Sequence, residues 1–377
     1  MATHRGRTGH RPTVAGMNVP HTQDPPRRTA RLLAGVVALT LLLAGCASSD
    51  DGDPAATDGS ATTVETTAAT VEPSSDDTGT DPASDVDVEA ADGGLDVARF
   101  FDGAIEDVTV EDCTLSGGAE TTCYSITVAG YPVSYETGPF CPTTITDETG
   151  GLWWDGEAVY DLNGAFVADL AEIYGDDNWQ MYDEDGNVLV TETAEEFELA
   201  ARPDVDPSLQ NHCVEGQLEW LEDGEPVPTT VRIPTTPVAA DSSAVPQGNQ
   251  GVTLDGVVIA NAAPVDAILG AYTIAAFDDC GAHFNPFDGY HLHGAVGCGE
   301  LEGDVAEGET AQFGYAMDGF PIHSPLDDES DLDACNGHTT EANGYHYHAN
   351  NAAENQVVEC LIGQTVASAD GAGQPIR

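Results

Sequence analysis

The chain has 377 residues, a length that suggests about two domains, and its 66 acidic side chains face only ten Lys and Arg, for a formal net charge of −56 at pH 7. Negative charge on that scale repels a phosphate backbone, so nucleic acid is excluded as a partner on sign alone. The same surplus describes a strongly solvated acidic surface that keeps the chain soluble.

Arg27, Arg28 and Arg31 precede an apolar run from Leu32 to Leu43 that ends in Leu43-Ala44-Gly45-Cys46. A basic flank, a run well short of the roughly 20 residues that span a membrane, and small residues before a Cys predict a secretion signal. The tetrapeptide resembles the lipoprotein processing box, which implies cleavage before Cys46 and a lipid on its sulfur. The expected location is therefore the outer face of the membrane, in the cell envelope, with the lipid as anchor. After Cys46 the chain keeps Arg99, Arg202, Arg232 and Arg377, no Lys and 65 acidic residues, a balance near −61.

Residues 47–92 are mostly Asp, Thr, Ser, Ala, Gly and Pro. Such a stretch buries too little apolar surface to offset the entropy of ordering and reads as a flexible tether. Residues 93–235 carry dispersed aromatics and short alternating runs, such as Tyr124 to Val128 and Asn187 to Thr191, between Gly, Pro and Asp turn signals, which predicts strands. Leu162 to Tyr174 places Phe166, Leu170 and Ile173 at helical spacing, and Thr193 to Ala201 suits a second helix with Glu near its start. The expectation is a small mixed α+β domain. Asp183-Glu184-Asp185-Gly186-Asn187 opens like a calcium loop, but Ala194 stands where the bidentate Glu belongs, so a hairpin turn is expected there. His212 beside Cys213 reads as a surface or core residue.

Residues 236–377 form the second expected domain. After a Pro, Thr and Ala stretch from Pro234 to Pro246 come short apolar runs, Val257 to Ile259, Ala271 to Ala276 and Ala311 to Met317, as buried strands would be. The fold class expected is mainly β, or β-rich α+β overall. Within this domain the sequence repeats itself. Asp278, Cys280, His283, then Gly289-Tyr290-His291-Leu292-His293 returns 55 positions later as Asp333, Cys335, His338, then Gly344-Tyr345-His346-Tyr347-His348. The repeat reaches back to Asp255-Gly256-Val257-Val258-Ile259 and Asp318-Gly319-Phe320-Pro321-Ile322, 63 apart, so the first copy holds eight extra residues. Two duplicated β units are predicted, each opening on an Asp-Gly turn and closing on H-x-H.

On these residues the chain resembles the YHYH-motif proteins of bacterial envelopes. The A-x-D-G-[YF]-P-I, L-D-x-C-N-G-H and Y-H-Y-H segments of that family match Ala316 to Ile322, Leu332 to His338 and Tyr345 to His348. The chain departs from the pattern at His323, where the family more often has Tyr, and no role is carried onto it. The resemblance implies a location in the envelope and little chemistry, because a motif and not an activity defines the family.

With Cys46 set aside, eight cysteines remain: Cys113, Cys123, Cys141, Cys213, Cys280, Cys298, Cys335 and Cys360. In an exported chain an even set predicts four disulfides, although eight cysteines allow about 105 connectivities. Each repeat has one Cys before its H-x-H and one after, which favours Cys280 with Cys298 and Cys335 with Cys360. The competing reading treats C-x-x-H as half of a zinc site.

On a strand the two His of H-x-H project to one side about 7 Å apart, where they can chelate a divalent ion. If the duplicated units pack about a pseudo-twofold axis, His291, His293, His346 and His348 face one another across the seam in a common pocket, with His283 and His338 completing the shell. Neutral imidazole suits Zn or Cu, and four Met in the whole chain offer no cluster for Cu(I). Asp278 and Asp333 are then expected to fix the His tautomers or to ligate directly, while Tyr290, Tyr345 and Tyr347 point to the opposite face and pack the core. The function expected is binding of a divalent transition metal by a lipid-anchored envelope protein. Two alternatives stay open. One is a metal-dependent hydrolase or oxidoreductase, with Asp278, Asp333 or Asp318 as base; the H-E-x-x-H, G-x-S-x-G and phosphate-loop motifs are absent. The other is a metal-free adhesion or interaction module in which each His bonds a turn or a buried carbonyl.

Overall fold

The computed structural model describes residues 94–201 and 204–367. The expected signal, the lipidation site Cys46 and the tether lie outside these residues. Among the described residues no helix is long and apolar enough to cross a membrane.

The chain opens on a long antiparallel hairpin, β1 (Ile105–Thr114) and β2 (Glu120–Val128). A short hairpin follows, β3 (Leu152–Trp154) with β4 (Val159–Asp161), and then two helices, α1 (Gly164–Ile173) and α2 (Ala194–Ala200). Both helices start where the sequence places a cap. Asn163 accepts from the Phe166 backbone N–H and Thr193 from that of Glu196, which satisfies donors that have no partner in the first turn. α1 buries Phe166, Val167 and Leu170 at the predicted spacing. Asn187 to Thr191 forms only isolated bridges, to Thr144, Tyr182 and Cys213, instead of a strand; three different single-residue partners cannot build a ladder. The acidic loop before it is a turn, in which Asp183 accepts from the backbone N–H groups of Asp185 and Asn187.

Next come β5 (Cys213–Val214), β6 (Thr229–Pro234), which returns to pair with β2, and β7 (Ala239–Ala244). The repeat region supplies β8 (Gly251–Thr253), β9 (Val258–Ile259), α3 (Val265–Gly270), β10 (Ile274–Ala275), β11 (Ala282–Asn285) and β12 (Gly289–Leu292). Its second half supplies β13 (Gln312–Ala316), β14 (Pro321–His323), β15 (Gly337–Thr340) and β16 (Gly344–His348), and β17 (Leu361–Gly363) closes the described chain against β7. The predicted apolar runs thus hold β9, β10 and β13, and the eight extra residues of the first copy lie in the connection that contains α3.

Eight of these strands form one sheet in the order β11-β12-β9-β8-β13-β14-β16-β15. Read outward from the central antiparallel pair of β8 and β13, each half repeats the same sequence: first strand, second strand, then the outer hairpin in parallel contact with the second strand. That is the pseudo-twofold arrangement the duplication calls for. Each Asp-Gly is the turn between the first two strands, with Gly256 at φ +86° and Gly319 at φ +91°, where a side chain would strain the backbone. The Asp of each turn is fully buried and bound elsewhere in the fold. Asp255 accepts from the backbone N–H groups of Val133 and Ser134 and from the Ser134 hydroxyl. Asp318 accepts from the Tyr347 hydroxyl and the Gly363 N–H.

Composition suggests a division near residue 235; the described residues on either side of that point pack together in shared cores. Tyr124, Ile126 and Val231 share a core with Val252 and Tyr315, and Trp153, Trp154 and Leu170 share another with Ala276 and Phe277. Fully burying one such large side chain contributes about 1.5–3 kcal/mol, and neither segment covers its own aromatics alone. Four disulfides staple the described chain: Cys113–Cys123, Cys141–Cys213, Cys280–Cys298 and Cys335–Cys360. The two pairs expected within the repeats are both present. The zinc half-site reading fails, because Cys280 and Cys335 spend their sulfurs on disulfides and have no thiolate to offer. The four bonds fit an oxidising, extracellular compartment.

Candidate metal centres

Each copy of the repeat assembles its own histidine cluster, and the outer hairpin is what does it. In the first copy β11 and β12 pair so that His283 stands opposite His291; in the second, β15 and β16 put His338 opposite His346. The second His of each H-x-H lies two residues further along and so returns to the same face. Three imidazoles converge from one hairpin, and no ligand from the other copy is needed. The expected common pocket across the seam is therefore replaced by two separate clusters at opposite ends of the eight-stranded sheet.

The rest of the motif explains itself in the same geometry. Asp278 Oδ1 accepts from the N–H groups of Cys280 and Ala282, and Asp333 Oδ1 from those of Cys335 and Gly337. The D-x-C spacing is thus a turn held by its own carboxylate. The second carboxylate oxygen of each Asp receives the Tyr hydroxyl of G-Y-H, Tyr290 onto Asp278 and Tyr345 onto Asp333. These two aspartates were expected to orient or join the ligands, and they do neither: turn N–H groups and a Tyr hydroxyl occupy them. The tautomers are set by backbone. His291 Nδ1 donates to Gly289 O at 3.0 Å and His346 Nδ1 to Gly344 O at 3.1 Å, since a carbonyl only accepts. Tyr290 and Tyr347 are buried in the core on the opposite face, as alternation predicts.

With Nδ1 protonated, Nε2 of His346 carries a bare lone pair. It faces Glu309 Oε2 at 2.9 Å and His338 Nε2 at 3.1 Å. His348 likewise turns Nδ1 to Ser324 O at 3.0 Å and brings Nε2 to 3.1 Å from His338 Nε2. Glu309 Oε1 lies 3.4 Å from His338 Nε2 and Oε2 lies 3.7 Å from His348 Nε2. Four acceptor atoms thus surround one point, and His338 has at most one proton to share among them. Ligand atoms about 3.3 Å apart are what tetrahedral coordination at the usual Zn–N length of about 2.0–2.1 Å produces. Burial, opposed mainly by the hydrogen bond to the Ser324 carbonyl, pushes His348 down to about 4, which keeps it neutral and able to ligate.

Among the described residues the first cluster has the same three His and no carboxylate. His283 Nε2 lies 3.1 Å from His291 Nε2. Neither His283 Nδ1 nor His293 Nε2 has a hydrogen-bond partner although both atoms are buried, a costly state for a polar group. A proton on His283 Nε2 satisfies His291 and leaves its own Nδ1 empty. Burial lowers His291 to about 4 and, with repulsion from the neighbouring imidazoles, drives His283 and His293 well below the ordinary value.

Two functional residues escape the sequence reading. Glu309 comes from the loop before β13 and belongs to no motif. His323 ends β14 in register with His348, and its ring centre is 4.3 Å from that of His346. Its Nδ1 donates to Thr310 O at 2.7 Å, and burial first, then the nearby His346, lowers it to about 3. The repeat aligns His323 with Ala260, so a further His packs beside the three imidazoles of the second cluster where the first copy has none. Its one sequence signal was the departure from the family pattern.

The family model described as YHYH protein matches residues 230–331. That stretch is a YHYH domain; it contains the whole first cluster, the second Asp-Gly turn and Glu309, and it ends before His338. No curated protein and no solved structure matches the chain.

Proposed function

We propose that this chain is an exported, lipid-anchored protein that binds two transition metal ions at the cell surface, one in each copy of its repeat. Glu309, His338, His346 and His348 hold a divalent ion, Zn(II) or Cu(II); His283, His291 and His293 hold the other. The observation that carries the reading is the convergence on His346 Nε2, which lies 2.9 Å from Glu309 Oε2 and 3.1 Å from His338 Nε2, with Glu309 Oε1 3.4 Å from His338 Nε2. Lone pairs brought that close repel unless a proton or a cation lies among them, and the one proton of His338 cannot serve all the acceptors that face it. The role that follows is metal binding or delivery, with Cys46 as the proposed lipid attachment. Elemental analysis of the purified chain, loaded and then desalted, tests it: two ions per chain are expected, and none would return the His clusters to a purely structural role. Mass analysis of the mature N-terminal peptide tests the anchor.

A metal-dependent hydrolase or oxidoreductase is the second reading, and one feature favours it. An open cleft of about 820 Å³, lined by Glu307, Glu309, Asp331, Asp333 and His338, adjoins the second cluster and leaves room for a substrate beside the ion. Asp278 and Asp318 are poor bases for such chemistry, since their oxygens already accept several protein hydrogen bonds each. Turnover by the metal-loaded chain on a hydrolase and oxidase panel separates the two readings.

A further inference from the structure

We infer that the two clusters select ions of different charge: the three-His cluster of the first copy takes monovalent copper, Cu(I), while the Glu309 cluster takes a divalent ion. The inference rests on the metal-binding reading proposed above and divides its two sites.

The donor sets differ in charge. The second cluster joins three imidazoles to the Glu309 carboxylate; the first has three neutral imidazoles and no acidic donor within the same reach. Its surroundings are apolar. The Phe277 ring centre lies 5.0 Å from that of His283 and 5.2 Å from that of His293, and Trp154 stacks on Phe277 at 4.1 Å. The groups that act electrostatically on His283 are the other two imidazoles of the cluster. Against so little negative charge, the cost of dehydrating an ion grows with the square of its charge, so a divalent ion costs about four times what a monovalent ion of similar size does. Glu309 offsets that cost in the second cluster, where the adjoining cleft also admits a fourth donor from solvent. The first cluster has neither aid.

Among monovalent ions the donors decide. Hard alkali cations require oxygen, whereas nitrogen donors suit the later transition metals. Cu(I) has a filled d shell with no geometric demand, and three imidazole nitrogens complete its coordination without water or an anion. His293 Nε2, a buried nitrogen without a partner, marks donor capacity that the protein itself leaves unspent.

The test offers the full chain both ions together. Copper is supplied under argon with ascorbate, which leaves disulfides intact, in the presence of equimolar zinc; unbound ions are removed, and metals are counted per chain alongside the copper X-ray absorption edge. One Cu(I) and one Zn(II) per chain are expected. His283→Ala should release the copper and keep the zinc, and Glu309→Gln should weaken zinc binding at least tenfold and keep the copper. The wild-type count stands by itself should either variant misfold. Two zinc ions per chain, or zinc displacing copper from the Glu309→Gln variant, would overturn the inference while leaving the metal-binding reading intact. A single zinc with no copper would overturn it as well, by showing that the first cluster is not a metal site. No metal of either kind would defeat both.

Discussion

His338 faces His346 across the outer hairpin with their Nε2 atoms 3.1 Å apart, and His283 faces His291 in the other copy at the same 3.1 Å. Duplication has thus preserved a local device, a hairpin register that opposes two imidazoles while strand alternation returns a third. The clusters lie on strands separated by five strand-to-strand steps in the sheet order, roughly 24 Å at about 4.8 Å per step. At that distance two sites act independently.

Changing His346 and His348 together to Ala should therefore remove one of two bound ions and leave the other. Sites so far apart with no shared partner are expected to be additive. The reciprocal pair, His283→Ala with His291→Ala, should remove the other ion. Metal counts after desalting check both, with far-UV circular dichroism as the control for folding. Loss of both ions in either variant would mean that the clusters are coupled.

Tyr347→Phe isolates the second role of the motif. Its hydroxyl donates to Asp318 Oδ2 at 2.6 Å and accepts from the Ile362 N–H at 2.8 Å, both inside the core. Removing it leaves a buried carboxylate and a buried N–H short of a partner, a loss of about 1–3 kcal/mol. The unfolding free energy from a urea titration should fall by that amount while the metal count stays at its wild-type value. A change in metal count would place Tyr347 in the site and not behind it.

The repeat was legible because its chemistry is local. D-x-C, G-Y-H and H-x-H each encode a contact made within one hairpin, so spacing alone located Asp278, His283 and His293 and suggested the disulfide partners Cys298 and Cys360. What spacing does not encode is which hairpin strand supplies the third ligand. H-x-H presents two imidazoles, and nothing in the sequence says that His283 and not the other copy completes the set. Glu309 was invisible for the opposite reason, since a loop brings it in from 37 residues away in the chain. The aspartates were misassigned because a carboxylate near a His in sequence is as well used by turn N–H groups, and here those groups are nearer. Composition changes near residue 235, and side chains from either side of that point share cores, a contact that composition does not encode.

All eight cysteines of the described chain are paired, so a maleimide added to denatured, unreduced protein should label none of them. Reduction should first cost stability. Closing a loop with the 25-residue separation of Cys335–Cys360 contributes about 3 kcal/mol by the loop-entropy estimate. Because Cys335 sits at the mouth of the β15 hairpin, reduced protein should also hold the ion of the Glu309 cluster less tightly. Labelling of Cys280 or Cys335 without reductant would revive a thiolate ligand.

The buried imidazoles set the pH dependence of the metal-free chain. In the unfolded state a His takes up its proton near pH 6.5, whereas burial holds folded His291 down to about 4. Between those values the unfolded state binds the proton and the folded state does not, so stability rises with pH across the window and is lost as pH falls through it. The separation corresponds to something on the order of 3 kcal/mol for His291 alone, and His283 and His293 are lowered in the same direction. Asp318 works against them. Burial raises its carboxyl to about 6, above its unfolded value of about 3.9, so the folded state binds that proton more tightly and this one group makes stability fall as pH rises from about 4 to 6. Asp278, Asp279, Asp288, Glu215 and Glu354 are raised by burial in the same sense as Asp318, while His323 at about 3 and His348 at about 4 join the lowered imidazoles, whose larger shifts should make the net slope positive. Asp318→Asn removes its share of the opposing contribution and should steepen it. Ion binding requires the same imidazoles to be unprotonated, so protein loaded at the first cluster should lose that ion only as pH approaches the folded value of about 4. Urea midpoints at pH 4.5 and 6.5, with and without metal, measure all of this; equal midpoints for the metal-free chain at the two values would show that the clusters are protonated in the folded state.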